Sequence, residues 1–188
     1  MSKLAIDIAL LPPDSVMNEA IKINKDFEPK LILNKTDCLP HITLSQAVIK
    51  EEDLGQVKEI IETIVREFHP LKLHAKVVNK PGAFFRITET PQIKKLHLEV
   101  MSRLKDLVSY DAKPEYFYDD YIREQSLEWV SDFYSGGAFE KFDAHISLGV
   151  EQLVEDEHEL KFIADRLVIC HLGNYNTCRK ILYEVALH

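Results

Sequence analysis

The sequence predicts an α+β fold: two similar lobes, each a mostly antiparallel sheet flanked by helices, related by a pseudo-two-fold about a central groove. Three observations carry that expectation. Strand-like alternation and helix-like stripes follow one another irregularly, with hairpins, whereas a doubly wound sheet would alternate strand and helix. The chain has 188 residues, enough for one bilobal domain spanning 1–188. Two nearly identical stretches, CLPHITLSQ around His41 and FDAHISLGV around His145, fall one in each half, both on predicted strands.

Lys3 to Leu11 alternates as a strand with one acid in it, and PPD ends it. Asp14 can cap a helix running to about Phe27, with Val16, Ala20, Ile21 and Ile23 turned to the core. KLIL (30–33) and HITLSQAVI (41–49) read as strands, the second with strict alternation. EEDLGQVKEIIETIVREF is the clearest helix: Leu54, Val57, Ile60, Ile61, Ile64, Val65 and Phe68 form one apolar stripe. HPLKLHAKVV and AFFRIT are two strands joined by NKPG, a turn-forming stretch. PQIKKLHLEVMSRLKDLV is a helix with Pro in its first turn. A further helix, about Asp120 to Phe133, is stopped by Gly136 and Gly137. FDAHISLGV is a strand and EDEHELKFIADRL a helix. LVICHLGNYNTCRKILYEVAL is a closing hairpin that turns near Gly173 and Asn174.

Composition narrows the function. Hydrophobic residues make up 46% and charged residues 29%, as in ordinary globular proteins. The net charge of -8 disfavours long nucleic acid, whose binding rests on neutralising many phosphates. A short phosphate-bearing ligand in a local pocket stays open. The start MSKLAIDIALLPP lacks the basic and long apolar regions of a signal peptide, and no apolar run could cross a bilayer, so a cytoplasmic protein with no membrane partner is expected. The three cysteines, Cys38, Cys170 and Cys178, are expected as reduced thiols. Cys170, His171 and Cys178 lack a fourth ligand for structural zinc.

The repeated tetrapeptide points to chemistry. Residues two apart in a strand share a face, so His41 and Thr43 oppose Ile42 and Leu44, and His145 and Ser147 oppose Ile146 and Leu148. Ile and Leu suit a packed back face; a polar pair opposite needs water, a partner or a ligand. A lone His-x-Thr on a strand is more often an ordinary histidine with a local hydrogen bond. Two copies in corresponding strands are far less expected by accident. Facing each other, they supply two imidazoles and two hydroxyls, with no fixed carboxylate foreseen except Asp143. That set suits a phosphodiester: one neutral imidazole as general base and one protonated imidazole as general acid. The hydroxyls would donate to non-bridging oxygens, and no metal or other cofactor is demanded.

At these residues the sequence resembles the 2H phosphoesterase superfamily, which includes the 2′-5′ RNA ligase-like proteins and the cyclic phosphodiesterases. PHITL and AHISL both satisfy its His-x-Thr/Ser signature. GAFFRI, WVSDFYSGGAFEKFDAHISLG and the terminal HLGNYNTCRKILYEVAL extend the likeness over most of the chain. The resemblance implies a bilobal fold with the motifs facing across a groove. It also implies metal-independent cleavage or formation of a phosphodiester at an RNA end or small nucleotide, often a 2′,3′-cyclic phosphate. His41 and His145 would be the acid/base pair; Thr43 and Ser147 would bind phosphate. Two departures are Ser147 for Thr and Ala144 for the Pro that commonly precedes the second His.

Phe84, Phe85, Arg86 and Tyr175 are candidates for nucleotide contact, with Phe84 and Arg86 on one face of their strand and Phe85 on the other. Phe139 and Phe142 are further aromatic candidates, and Tyr116 to Asp120 is read as a lid or a surface loop. His69, His74, His97, His158 and His188 are assigned no role, with His97 and His158 solvated on helices. The expected partner is a nucleotide or RNA-end substrate, and the expected state a monomer. The alternatives are a 2′-5′ RNA end-joining ligase and a non-catalytic nucleotide or RNA-end binding module.

Overall fold

The computed structural model describes residues 2–27, 29, 31–79, 82–151 and 159–188. Its first sheet has five strands in the order β5-β2-β1-β8-β9: β1 (Lys3–Leu11), β2 (Ile42–Lys50), β5 (Val108–Ser109), β8 (Arg166–Leu172) and β9 (Cys178–Ala186). The second has four in the order β6-β4-β3-β7: β3 (Leu71–Val78), β4 (Phe84–Ile87), β6 (His145–Ser147) and β7 (Glu159–Ala164). All neighbours pair antiparallel. The helices are α1 (Asp14–Asp26), α2 (Leu54–Val65), α3 (Pro91–Leu104) and α4 (Glu124–Gly136). This is the expected α+β arrangement of two antiparallel sheets flanked by helices. The lobes are not chain halves, because β8 and β9 return to the sheet that β1 and β2 begin.

One core joins both sheets to α1, α2 and α3. Ile8, Ile42 and Leu44 from the first sheet meet Phe85, Ile146 and Leu148 from the second, all at most 1% exposed. Each such side chain contributes about 2 kcal/mol through removal from water. The opposite face of the first sheet carries Ala5 and Val48. With Leu172 of β8 beside them, they are covered by Val130 of α4 and by Phe117 and Ile122. The helix therefore seals the face of β1 on which Asp7 stands. No described helix is long and apolar enough to cross a membrane.

Several elements differ from the sequence expectation, each for a local reason. Residues 31–33 are not a strand: Asn24, wholly buried on α1, takes their backbone groups instead. Its amide donates to Leu31 O and Leu148 O at 2.9 Å each, and its Oδ1 accepts from Leu33 N at 2.9 Å. Asp14 is the first helical residue of α1, and Pro13 holds the cap position, so the acid acts through the helix dipole. α3 ends at Leu104, and Val108 belongs to a short strand pairing with β2. α4 begins at Glu124, later than expected.

The largest correction is at 159–164, a strand rather than a helix. Phe162 and Ala164 alternate with exposed Lys161 and Ile163, and the strand closes the free edge of β3. The N-terminal part of that predicted helix, with His158, and the centre of the NKPG turn lie outside the described residues. Cys170 and Cys178 are a disulfide, not two thiols: β8 and β9 bring their Cα atoms to 5.3 Å, within bridging range. The stretch after Pro114 is tied down. Tyr118 N donates to Leu172 O, and Asp119 accepts from Asn174 N and pairs with Arg179.

Gly149 closes the second motif with φ +69, and a Cβ there would stand 2.7 Å from the Asn24 amide. Gly149→Ala is expected to destabilise the protein by about 2 kcal/mol, read as a lower urea midpoint. An unchanged midpoint would mean that the Asn24 hub is not holding this segment.

Candidate functional site

The alternation read from the two motifs is present in both strands. Ile42, Leu44, Ile146 and Leu148 are wholly buried, while His41, Thr43, His145 and Ser147 face the other way and line one cavity of about 520 Å³. Each histidine is fixed by the same device. His41 Nδ1 donates to Leu39 O at 2.7 Å, and His145 Nδ1 donates to Asp143 O at 2.7 Å. A carbonyl only accepts, so both rings carry their proton on Nδ1 when neutral, and Nε2 is the nitrogen not tied to the backbone.

A carboxylate stands behind the first motif that the sequence reading did not place there. Asp7, in the middle of β1, is 0% exposed. Its Oδ2 accepts from Thr43 Oγ1 at 2.7 Å and from Gln46 Nε2 at 2.9 Å, and lies 3.4 Å from His41 Nε2. Thr43 and Gln46 are three apart, a spacing that regular pleating would put on opposite faces. A bulge between the Ile8–Ser45 and Ala9–Thr43 pairs brings both onto the Asp7 side. Burial pulls the His41 pKa down, but the hydrogen bond and charge of Asp7 and the Leu39 carbonyl outweigh it, leaving the ring above the ordinary imidazole value. The signal was in the sequence: a lone acid inside the apolar run KLAIDIALL.

His97 is not solvated. It is 0% exposed on α3, donates Nδ1–H to Leu44 O at 2.7 Å, and accepts from Phe139 N at 2.9 Å. Its ring stacks on Phe142 at 4.1 Å. It thus ties the residue after Thr43 to the turn that leads into the second motif. Burial is the main reason its pKa is lowered.

The cavity wall is completed by Arg123, Trp129 and Phe142, and by Tyr175 and Asn176 from the β8–β9 turn. Tyr175 and Asn176 both adopt left-handed backbone, φ 60 and 56. Asn174 holds them there through Oδ1, which accepts from Arg123 N and Tyr175 N. The Arg123 guanidinium lies 4.5 Å from the Tyr175 ring. Trp129 is half exposed, and its position on α4 was not read from the sequence as functional.

The other candidates stand elsewhere. Phe85 is wholly buried in the core. Phe84 packs on the His145 ring at 5.1 Å without lining the cavity. Arg86 reaches back over Phe84 and pairs with Asp143 at 2.9 Å. The Asp143 carboxylate therefore belongs to Arg86, and only its carbonyl serves the histidine. Phe139 packs against His97 and Tyr134.

The lining has an unusual charge for so acidic a chain. Among the described residues it contains no Asp or Glu, and it sets the Arg123 guanidinium beside the two imidazoles. The Thr43 hydroxyl proton is committed to Asp7, whereas the Ser147 hydroxyl has no side-chain partner among the described residues.

No family model and no curated protein matches the sequence. Solved structures do match. A Thermus thermophilus protein superposes with a TM-score of 0.62 at 14% identity, covering 98% of each chain. Escherichia coli LigT, solved with phosphate, gives 0.55 at 11% identity over 100% of this chain and 99% of that one, and it was also solved with 3′-AMP. A protein described as a phosphoesterase gives 0.53 at 12% identity over 99% of both chains. Over essentially its whole length, then, this chain has the fold of LigT and of that phosphoesterase.

Proposed function

We propose that the protein is a 2H phosphoesterase that hydrolyses a 2′,3′-cyclic phosphate or 2′-5′ linkage at an RNA end or on a small nucleotide. The observation that carries this reading is the matched pair of histidines on one cavity, each locked by an Nδ1–carbonyl bond that leaves Nε2 untied to the backbone. Phosphate and 3′-AMP, the ligands carried by LigT of the same fold, favour a nucleotide bearing a phosphate.

In the reaction, a water oxygen attacks phosphorus while one imidazole Nε2 takes its proton. The bond from phosphorus to the leaving ribose oxygen breaks, and the other imidazolium gives that oxygen its proton. Ser147 and Arg123 face the non-bridging oxygens, where the transition state carries its charge. Tyr175 and Trp129 offer ring faces for a base.

Product analysis with a panel of 2′,3′-cyclic nucleotides and 2′-5′ oligonucleotides in excess EDTA tests the proposal. Hydrolysis undiminished by the chelator is expected, with a bell-shaped pH dependence. No turnover of any member would refute it. A longer product from cyclic-phosphate-ended and 5′-hydroxyl RNA would indicate end joining in its place.

A further inference from the structure

The two histidines are fixed alike through Nδ1, yet their surroundings differ. Only His41 has a buried carboxylate against its free nitrogen. We propose that Asp7 is a positioning residue that assigns the roles, holding His41 as the proton-bearing general acid and leaving His145 as the general base. The inference rests on the phosphodiesterase reading.

Counting protons leads to the assignment. Because Nδ1–H is given to Leu39 O, a neutral His41 would turn an Nε2 lone pair toward Asp7 Oδ2, 3.4 Å away. Two acceptors facing each other in a buried site repel, so one proton must lie between the groups. On Asp7 it has no good place. Oδ2 is occupied by the Thr43 and Gln46 donors, and Oδ1 has no hydrogen-bond partner among the described residues, so an O–H there would find no acceptor. The proton therefore sits on His41. At 3.4 Å the contact is an ion pair and not a short hydrogen bond, which leaves Nε2–H able to turn to a leaving oxygen.

The carboxylate is itself held in place. Gln46 Oε1 accepts from Asn176 Nδ2 at 3.0 Å, so the left-handed turn of β8–β9 braces the amide that donates to Asp7. The other ionisable groups lining the cavity are Cys38, Arg123, His145 and Tyr175. Arg123 and a protonated His145 would oppose a charge on His41, and among the described groups Asp7 is the carboxylate that favours it. His145 has Asp143 beside it in sequence, but that carboxylate faces Arg86.

The test pairs spectroscopy with kinetics. Ring-nitrogen NMR of the wild-type protein should show His41 titrating above the unfolded imidazole value of about 6.5. In Asp7→Asn, which keeps an oxygen for Thr43 and Gln46, the His41 titration should move to lower pH while the His145 ring signals stay in place. On a 2′,3′-cyclic nucleotide, Asp7→Asn should lower kcat about 10²-fold and shift the alkaline limb of the pH profile toward acid, with KM little changed. A wild-type His41 titrating below the unfolded value overturns the proposal even if the variant does not fold. So does an unshifted His41 titration or alkaline limb in a folded Asp7→Asn. The NMR readings need no substrate, so loss of the phosphodiesterase reading alone would leave them standing.

Discussion

His145→Ala is expected to lower kcat on a 2′,3′-cyclic nucleotide about 10³-fold while leaving the urea midpoint nearly unchanged. Positioned proton transfer is worth about 10²–10⁴-fold. The ring is half-exposed, and its hydrogen bond reaches a carbonyl only two residues away, so little stability rests on it. His41→Ala should cost as much rate and also weaken the fold, because it strips the ion-pair partner from a buried carboxylate. The contrast between the variants separates chemistry from structure. Full activity in both, measured by product release under saturating substrate, would remove the acid/base assignment altogether.

His97→Ala is expected to be the most destabilising single change at the site, by about 3 kcal/mol in urea unfolding. It strands the buried Leu44 O and the partly buried Phe139 N–H and leaves a void beside Phe142. The wild-type pH dependence carries the same signature. Protonating His97 would place an N–H against the Phe139 N–H donor, and its folded pKa is lowered. The unfolded chain therefore binds more protons than the folded one below about pH 6.5. The His97 contribution is present above that pH and is lost as pH falls toward the folded value. His41, whose folded pKa is raised, works the other way. Its contribution is complete below about pH 6.5 and is lost as pH rises through the folded value. Replacing His97 should flatten the acid side of the stability curve and leave the alkaline side alone. An acid side that keeps its slope would mean that another group is responsible.

Much of this architecture was legible because periodicity survives packing. β1, β2, β3 and β4 form where strands were read; β3 and β4 alternate in burial, β1 and β2 are covered on both faces, and α2 buries most of the stripe that its spacing marks out. The His-x-Thr/Ser pair was legible because alternation fixes which side chains share a face, whatever the tertiary fold. What was not legible depends on partners distant in sequence. Residues 31–33 have strand-like composition, but the amide of Asn24 satisfies their backbone. Residues 159–164 have helix-forming neighbours, but the open edge of β3 recruits them. Cys170 and Cys178 read as separate thiols, but the β8–β9 hairpin brings their Cα atoms to 5.3 Å.

The site shows the same division. Asp7 and His97 look ordinary in sequence, one an acid on a strand, the other a histidine on a helix. Their roles come from burial. The sealed face under α4 makes Asp7 a buried carboxyl group that needs partners. The contact with Leu44 and Phe139 makes His97 a neutral brace. The bulge that brings Thr43 and Gln46 to the same carboxylate cannot be inferred from a strictly alternating motif.

Binding of a single phosphate ion probes the central claim most directly. Crystals of the wild-type protein grown with inorganic phosphate should show the ion in the cavity with its oxygens within hydrogen-bond distance of both His41 Nε2 and His145 Nε2. A phosphate bound through only one ring, or at a site outside the cavity, would contradict the account.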